Sequence, residues 1–358
     1  RNVASNVSED NGISTGFLSE IEVSRIKGNF RYRVEHKFAN TTYDINDLGL
    51  NRRNNFNNLE AEISYENFEP TKTFNKYKFE LSARHRRLYS PSVTTGNSFR
   101  LESFFVLKSR VAFGGFMDYR SSNDNYFEPR VEGKFVTFSK SLGAKIFVST
   151  DYRKSFAVDL SIGHRKDFDQ PQRQVFIEFS PRYRFSDKFL VLINTDFSQR
   201  DNQFGYIDNT ETDVFFGQRD IQSIENSVTA SYNFDPYKAI DLRFRNYWTS
   251  VDYSEGIFFK LNDDGSKDVV DYPITEDNDP NTNFNIWNLD LRFRWRFAPG
   301  SEASLLYRNQ IFNSDNQATL GYTESLNKLF KQSIQNTISL RVTYFLDYNN
   351  ISYNFGKK

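Results

Sequence analysis

The stretch Trp287–Phe297 reads Trp-Asn-Leu-Asp-Leu-Arg-Phe-Arg-Trp-Arg-Phe, apolar at every odd position and polar at every even one. A two-residue period places the two sets on opposite faces of a β-strand. It does not fit a helix, whose apolar positions recur every three to four residues. Four further windows repeat the pattern. Phe30–Phe38 sets Phe30, Tyr32, Val34, His36 and Phe38 against Arg31, Arg33, Glu35 and Lys37. Leu59–Glu66 sets Leu59, Ala61, Ile63 and Tyr65 against Glu60, Glu62, Ser64 and Glu66. Tyr77–Arg86 sets Tyr77, Phe79, Leu81 and Ala83 against Lys78, Glu80, Ser82, Arg84 and Arg86. Near the end, Ile338, Leu340, Val342, Tyr344 and Leu346 alternate with Ser339, Arg341, Thr343, Phe345 and Asp347.

Weaker windows lie at Phe17–Ser24, Phe99–Lys108, Val111–Arg120, Ala144–Tyr152, Phe156–Gly163, Val175–Arg184, Phe189–Ser198, Ser227–Phe234, Ile240–Trp248 and Ala303–Phe312. The count is about fifteen strands, and no window has a helical period. Connections alternate in length. Short ones, such as Ile26–Asn29 and Ala298–Ser301, alternate with long ones rich in Asn, Asp, Ser and Gly, such as Asn40–Phe56, Ser121–Leu142, Gln199–Asn226, Val251–Phe284 and Asn313–Gln335. Short turns on one rim and long loops on the other are the layout of an outer-membrane barrel.

A soluble sandwich also alternates, but its inner face is aliphatic and closely packed. Here aromatics are 17% of the chain against 38% for all hydrophobic residues, and many stand at strand ends, where lipid-interface girdles use them. The longest run free of polar residues is Val111–Met117, whereas a helical span needs about 20 apolar residues. The reading is therefore an all-β fold: an antiparallel up-and-down transmembrane β-barrel of about 15 visible strands, part of a barrel of about 16 or more, since such a sheet must close in lipid. Residues 1–13 read as a polar extracellular lead-in, 14–350 as a single barrel domain incomplete on its N-terminal side, and 351–358 as a tail. An odd strand count with an inward-running first strand implies an outward strand upstream of Arg1. The polar start without Met reads as a processed protein or a fragment.

On this reading Arg31, Arg33, Glu35, Glu60, Glu62, Glu66, Lys78, Glu80, Arg84, Arg243, Arg245, Asp290, Arg292, Arg294 and Arg296 line the lumen. The basic second strand faces the acidic third, which faces the basic fourth. Ser121–Leu142 is a candidate constriction loop with Phe127, Glu128, Arg130 and Glu132, or else a raised extracellular hairpin.

Several segments carry a family resemblance: Tyr43-Asp44-Ile45-Asn46-Asp47-Leu48-Gly49, Tyr126-Phe127-Glu128-Pro129-Arg130, Ser180–Lys188, Phe297–Glu302 and Tyr344–Tyr348. Together they resemble the C-terminal region of a large family of Bacteroidota outer-membrane proteins, with an N-terminal carbohydrate-binding family-9-like domain before a domain of unknown function that ends in a barrel. The resemblance spans nearly all of Thr15–Tyr348. It implies the outer membrane of a Gram-negative bacterium and a link to glycans through a missing N-terminal domain. It supplies no catalytic residues.

The charge sum is zero, which argues against a nucleic-acid partner, and the chain has no Cys and three His. His36, His85 and His164 fall on different strands and form no plausible metal site. Asn262–Asp268 carries weak calcium candidates in Asp263, Asp264 and Asp268 but lacks the Asp-x-Asp-x-Asp-Gly spacing and the terminal Glu. No nucleophile elbow, dinucleotide loop or phosphate loop is present. Glu60 and Glu62 have no apolar walls to raise either as an acid. No enzyme and no cofactor are expected. The expected partners are the lipid bilayer and other outer-membrane or periplasmic proteins. Two functions remain: a transport or conduit channel for uptake or secretion, and an anchoring barrel that carries a domain or holds a partner.

Overall fold

A computed structural model describes residues 2–9, 12–44, 53–253 and 256–346. The tail at 351–358 and residues 45–52 of the first long loop lie outside the described residues. Sixteen strands run in chain order as one antiparallel ladder. They are β1 (Asn2–Glu9), β2 (Gly12–Arg25), β3 (Phe30–Ala39), β4 (Phe56–Asn67), β5 (Phe74–Arg87), β6 (Thr94–Leu107) and β7 (Ala112–Arg120). After a small hairpin of β8 (Asn123–Asn125) and β9 (Val136–Phe138), the ladder resumes with β10 (Ser141–Ser149), β11 (Phe156–Asp167), β12 (Arg173–Ser186), β13 (Phe189–Asn209), β14 (Val214–Asp235) and β15 (Lys238–Asp252). A second hairpin, β16 (Phe258–Leu261) and β17 (Lys267–Val270), precedes β18 (Thr282–Ala298) and β19 (Ser301–Asp315). Helix α1 (Tyr322–Leu329) and β20 (Gln335–Thr343) follow. The chain is an up-and-down antiparallel β-barrel wall.

Each of the fifteen windows of alternation falls on one strand of this ladder. The sixteenth, β1, corrects the reading of residues 1–13 as a lead-in: Asn2–Glu9 pairs residue for residue with Gly12–Ser19. Its sequence, Asn-Val-Ala-Ser-Asn-Val-Ser-Glu, has no two-faced contrast to betray it. The even count removes the parity argument for a strand upstream of Arg1. Gln199–Asn226 is likewise not a long loop, because β13 and β14 run on through it to a tight turn at 210–213. The helix α1 was also not expected. It is one eight-residue segment within a long connection, with Ser325 and Leu329 on its buried side.

Alternation holds through the middle of the wall, and the register shifts lie toward the strand ends and in the upper β13–β14 hairpin. On the apolar face, Tyr65 lies opposite Phe79, Ile63 opposite Leu81 and Ala61 opposite Ala83. Across the next pair, Leu81 lies opposite Leu101 and Ala83 opposite Phe99. Among the described residues nothing covers this face: Ile63 is 48% exposed, Leu101 55% and Ile146 67%. A continuous band of open aliphatic side chains has no stable place in water. Along the short-turn rim the band ends in aromatic pairs: Tyr65–Tyr77 at 6.1 Å, Phe105–Phe113 at 5.1 Å, Phe185–Phe189 at 4.8 Å and Trp295–Phe297 at 5.6 Å. An apolar band edged by an aromatic girdle is the lipid-facing surface of a transmembrane barrel.

The upper limit of the band is visible in the same outward phase. His85 and Arg87 follow Ala83 on β5, and Lys166 follows Ile162 and His164 on β11. His36 bonds Asn57 at 2.8 Å and His85 bonds Asn97 at 2.7 Å. Polar side chains on the outer face mark the water line, and what stands above it is the long-loop rim.

Two structures are built on that rim. The β8–β9 and β16–β17 hairpins meet the upper β13–β14 hairpin in an apolar cluster of Val136, Phe204, Val214, Phe216 and Leu261. On the outer face of β14, β15 and β18, α1 covers a buried amide network. Asn246 donates to Asn285 Oδ1 at 2.8 Å, and Trp248 Nε1 donates to Asn283 Oδ1 at 2.9 Å. Ser325 donates to Asn283 Oδ1 at 3.0 Å, and the Tyr322 hydroxyl donates to Asn246 Oδ1 at 2.8 Å. Asn246, Asn283 and Asn285 share the phase of Leu289 and Leu291, so the helix sits directly above the lipid-facing band.

Candidate functional site

The opposite face of the wall carries the charges. Register puts Arg33 opposite Glu62, Glu35 opposite Glu60, and Glu60 opposite Arg84. Arg33 reaches diagonally to Glu60 at 2.6 Å and to Glu62 at 3.3 Å, while Arg84 Nε donates to the other Glu60 oxygen at 2.7 Å. Glu66 lies between Arg31 at 2.9 Å and Lys78 at 3.7 Å, and Lys78 also pairs with Glu80 at 2.5 Å. The acidic β4 thus sits between basic β3 and β5, each cross-strand pair contributing about 0.2–1 kcal/mol.

Further round the wall the same face carries separate pairs. Arg165 meets Asp118 at 2.6 Å, Lys145 meets Glu178 at 2.8 Å, and Arg294 meets Asp241 at 2.9 Å. Arg245 grips Glu225, and Arg308 grips Asp290, through two bonds of 2.7 Å each. Arg243, Arg292 and Arg296 share this face without an ion-pair partner among the described residues. All fifteen residues expected along a lumen therefore lie on one face, twelve of them in ion pairs.

At the long-loop rim above β3, β4 and β5 this face opens into a cavity of about 550 Å³. Its floor is Glu35, Lys37, Asn58, Glu60, Arg84 and Arg86, and Asn123–Phe127 of the β7–β10 connection closes it from above. Arg53 and Asn55 form the sides, and Arg87 borders the cavity at the end of β5. Asn125 Oδ1 accepts from the backbone N–H groups of Phe127 and Glu128, at 2.9 and 3.0 Å, and this holds the roof in a turn. Arg53 stacks 5.3 Å from the Phe127 ring.

Five cations and three anions line the cavity, although the whole chain sums to zero. Three of the five, Arg53, Arg86 and Arg87, have no acid within ion-pair distance among the described residues. Arg86 faces the like charges of Arg84, Arg120 and Arg53. The one nearby acid, Glu60, already accepts from Arg33 and Arg84. Arg87 donates through Nη2 to Ser92, while its buried Nε has no partner.

Of the expected constriction residues, only Phe127 lines this cavity. Arg130 instead stacks over Tyr206 at 4.2 Å, beside the rim cluster, where Val131 also packs. The connection is divided: its first part lies over the charged face, and its second part joins the rim cluster. Sequence reading missed Arg53 as a site residue, because the long loop that carries it has no alternation to place it. The calcium candidates are dispersed. Asp263 pairs with Lys134, Asp264 accepts from the Ser266 backbone N–H, and Asp268 accepts from Asn262. Among the described residues no group of three or more His, Cys, Asp or Glu is placed to hold a metal ion.

Residues 1–355 match a family described as a domain of unknown function, DUF5916. No curated protein matches the chain. Among solved structures, one that is similar is the siderophore receptor PirA from Acinetobacter baumannii. It has a TM-score of 0.32 and 10% identity, covering 97% of this chain and 74% of that one.

Proposed function

The chain belongs to the DUF5916 family, and we propose that it is an outer-membrane barrel of a Gram-negative bacterium acting as a conduit for polar solutes. The observation that carries this reading is the pairing of an open apolar band with an opposite face rich in paired charges on the same strands. A wall of alternating ion pairs is costly to enclose in a dry interior and natural beside water. Transport-related passage along that face is the function it supports, with glycan-linked uptake or secretion as the finer expectation. No catalytic step is proposed.

A second reading is supported by the rim. The Val136–Phe204–Phe216 cluster ties three connections together above the wall, as a plug or platform would require. On that reading the barrel anchors a domain or holds a partner protein.

Planar-bilayer recording separates the two. The conduit reading expects steady conductance from the wild type. Replacing Glu60 and Glu62 with Gln should shift selectivity towards anions and lower stability by about 1 kcal/mol, because Arg33 and Arg84 lose their acids while water screens the remainder. Silence from both proteins favours the anchor. Conductance with unchanged selectivity removes these carboxylates from the path.

A further inference from the structure

We infer that the rim cavity above β3–β5 is a binding site for a soluble phosphate or sulfate ester. Guanidinium groups are held close to one another only at a cost, and a partly buried cation without a partner is among the more expensive features a fold can retain. Here the half-buried Arg86, at the end of a strand, and the exposed Arg53, from a loop, reach one chamber beside Lys37 and Arg84, with Glu60 saturated by Arg33 and Arg84. A tetrahedral oxyanion supplies several acceptors at once and suits planar guanidinium forks better than a single carboxylate does.

The organic part of the ester has its own contacts. Tyr126 and Phe127 offer aromatic surface, and Asn58 and Asn125 offer side-chain amides in the same lining. A chamber of 550 Å³ has room for a small phosphorylated or sulfated molecule, beyond a bare ion. Because the floor is the charged face, the site opens away from lipid. This favours a dissolved ester over the phosphate of a membrane headgroup. The inference deepens the conduit reading and rests on it for the placing of that face in water. Binding is measured without asking whether the barrel conducts, so the two ideas fail separately.

The test is calorimetric titration of the full chain in a neutral detergent with inorganic pyrophosphate and with glucose 6-phosphate. Saturable one-to-one binding is expected for both. Arg86→Gln should weaken it about tenfold or more, and Arg53→Gln by a smaller factor. Arg86→Lys keeps the charge without the fork and should fall between wild type and Arg86→Gln. It also serves if the glutamine variant fails to fold, as judged by heat-modifiable gel migration. Lys72→Gln, in the exposed turn on the opposite rim, should bind as wild type does. Absence of saturable binding to either probe overturns the proposal, as does equal weakening by Arg86→Gln and Lys72→Gln. Binding only to vesicles containing phosphatidic acid, with none to the free probes, would assign the site to a headgroup and overturn the soluble ligand.

Discussion

The outer face of β15 and β18 meets two environments within one strand. Lower down, Leu291 is exposed, and Phe244, Leu289 and Phe293 beside it are half-buried by their neighbours in the sheet. Above them, in unbroken register, Asn246, Trp248, Asn283 and Asn285 are buried under α1. The alternation phase is the same, but what it packs against has changed from lipid to protein. Lipid asks only that a side chain be apolar. A helix lying on a sheet asks for matched shape and for every amide to be satisfied.

The largest effect should come from putting charge into the lower zone. Leu291→Arg is expected to cost about 2–4 kcal/mol if the site is near the bilayer midplane, read as a shift in urea unfolding in lipid vesicles. Leu306, one strand over on the charged face and opposite Arg292, is the control. Leu306→Arg should cost less than about 1 kcal/mol. Equal costs at the two positions would erase the distinction between the faces.

The upper zone should break differently. Asn283 accepts from Trp248 Nε1 and Ser325 Oγ, so Asn283→Ala leaves two buried donors unpaired. The expected loss is about 1–3 kcal/mol, concentrated in α1. Hydrogen exchange should show faster exchange across Tyr322–Leu329 while the wall strands keep their protection. If α1 is unaffected, the network is not what holds it.

The smallest effect concerns pH. Asp167 ends β11 above the water line, where burial pushes its carboxyl up to about 6 from the usual 3.8. Arg165, Arg120 and Lys267 pull it down and Asp169 pushes it up. The folded state thus prefers the protonated form. Its contribution is fully present below about pH 4 and is lost as pH rises through 6. Asp167→Asn should raise stability at pH 8 by about 1–2 kcal/mol and change little at pH 4. A flat difference between the two pH values would remove Asp167 as the cause.

The same contrast explains what the sequence discloses. Fifteen of the sixteen wall strands were legible, because one face of Leu, Ile, Phe or Trp alternates with one rich in Arg, Lys, Glu or Asp. The signal fades where both faces meet water or protein. The upper half of the β13–β14 hairpin, with Gln199, Arg200, Asp201 and Asn202 in succession, looks like a loop because it has no lipid face. β1 is hidden because Asn-Val-Ala-Ser-Asn-Val-Ser-Glu has no two-faced contrast, and α1 because it is a single short helix within a long connection. The ion-pair lattice of β3–β5 was readable from the order of signs along neighbouring strands. The cavity was not, because it needs Arg53 and Asn123–Phe127, which come from two connections whose paths no periodicity fixes.

The length of β14 sets the height of the molecule's skyline. Its 22 residues extend roughly 70 Å along the strand and, at a tilt of about 40°, rise roughly 55 Å, about twice a lipid-facing band of about 25 Å. Four strands round the wall, β10 has nine residues, about enough to cross that band and no more. The barrel is therefore crested on one side. In a nanodisc image that crest breaks the near-cylindrical outline and gives single particles a landmark for alignment. In the outer-membrane placement proposed above, it is the part of the protein an antibody or a phage would meet first.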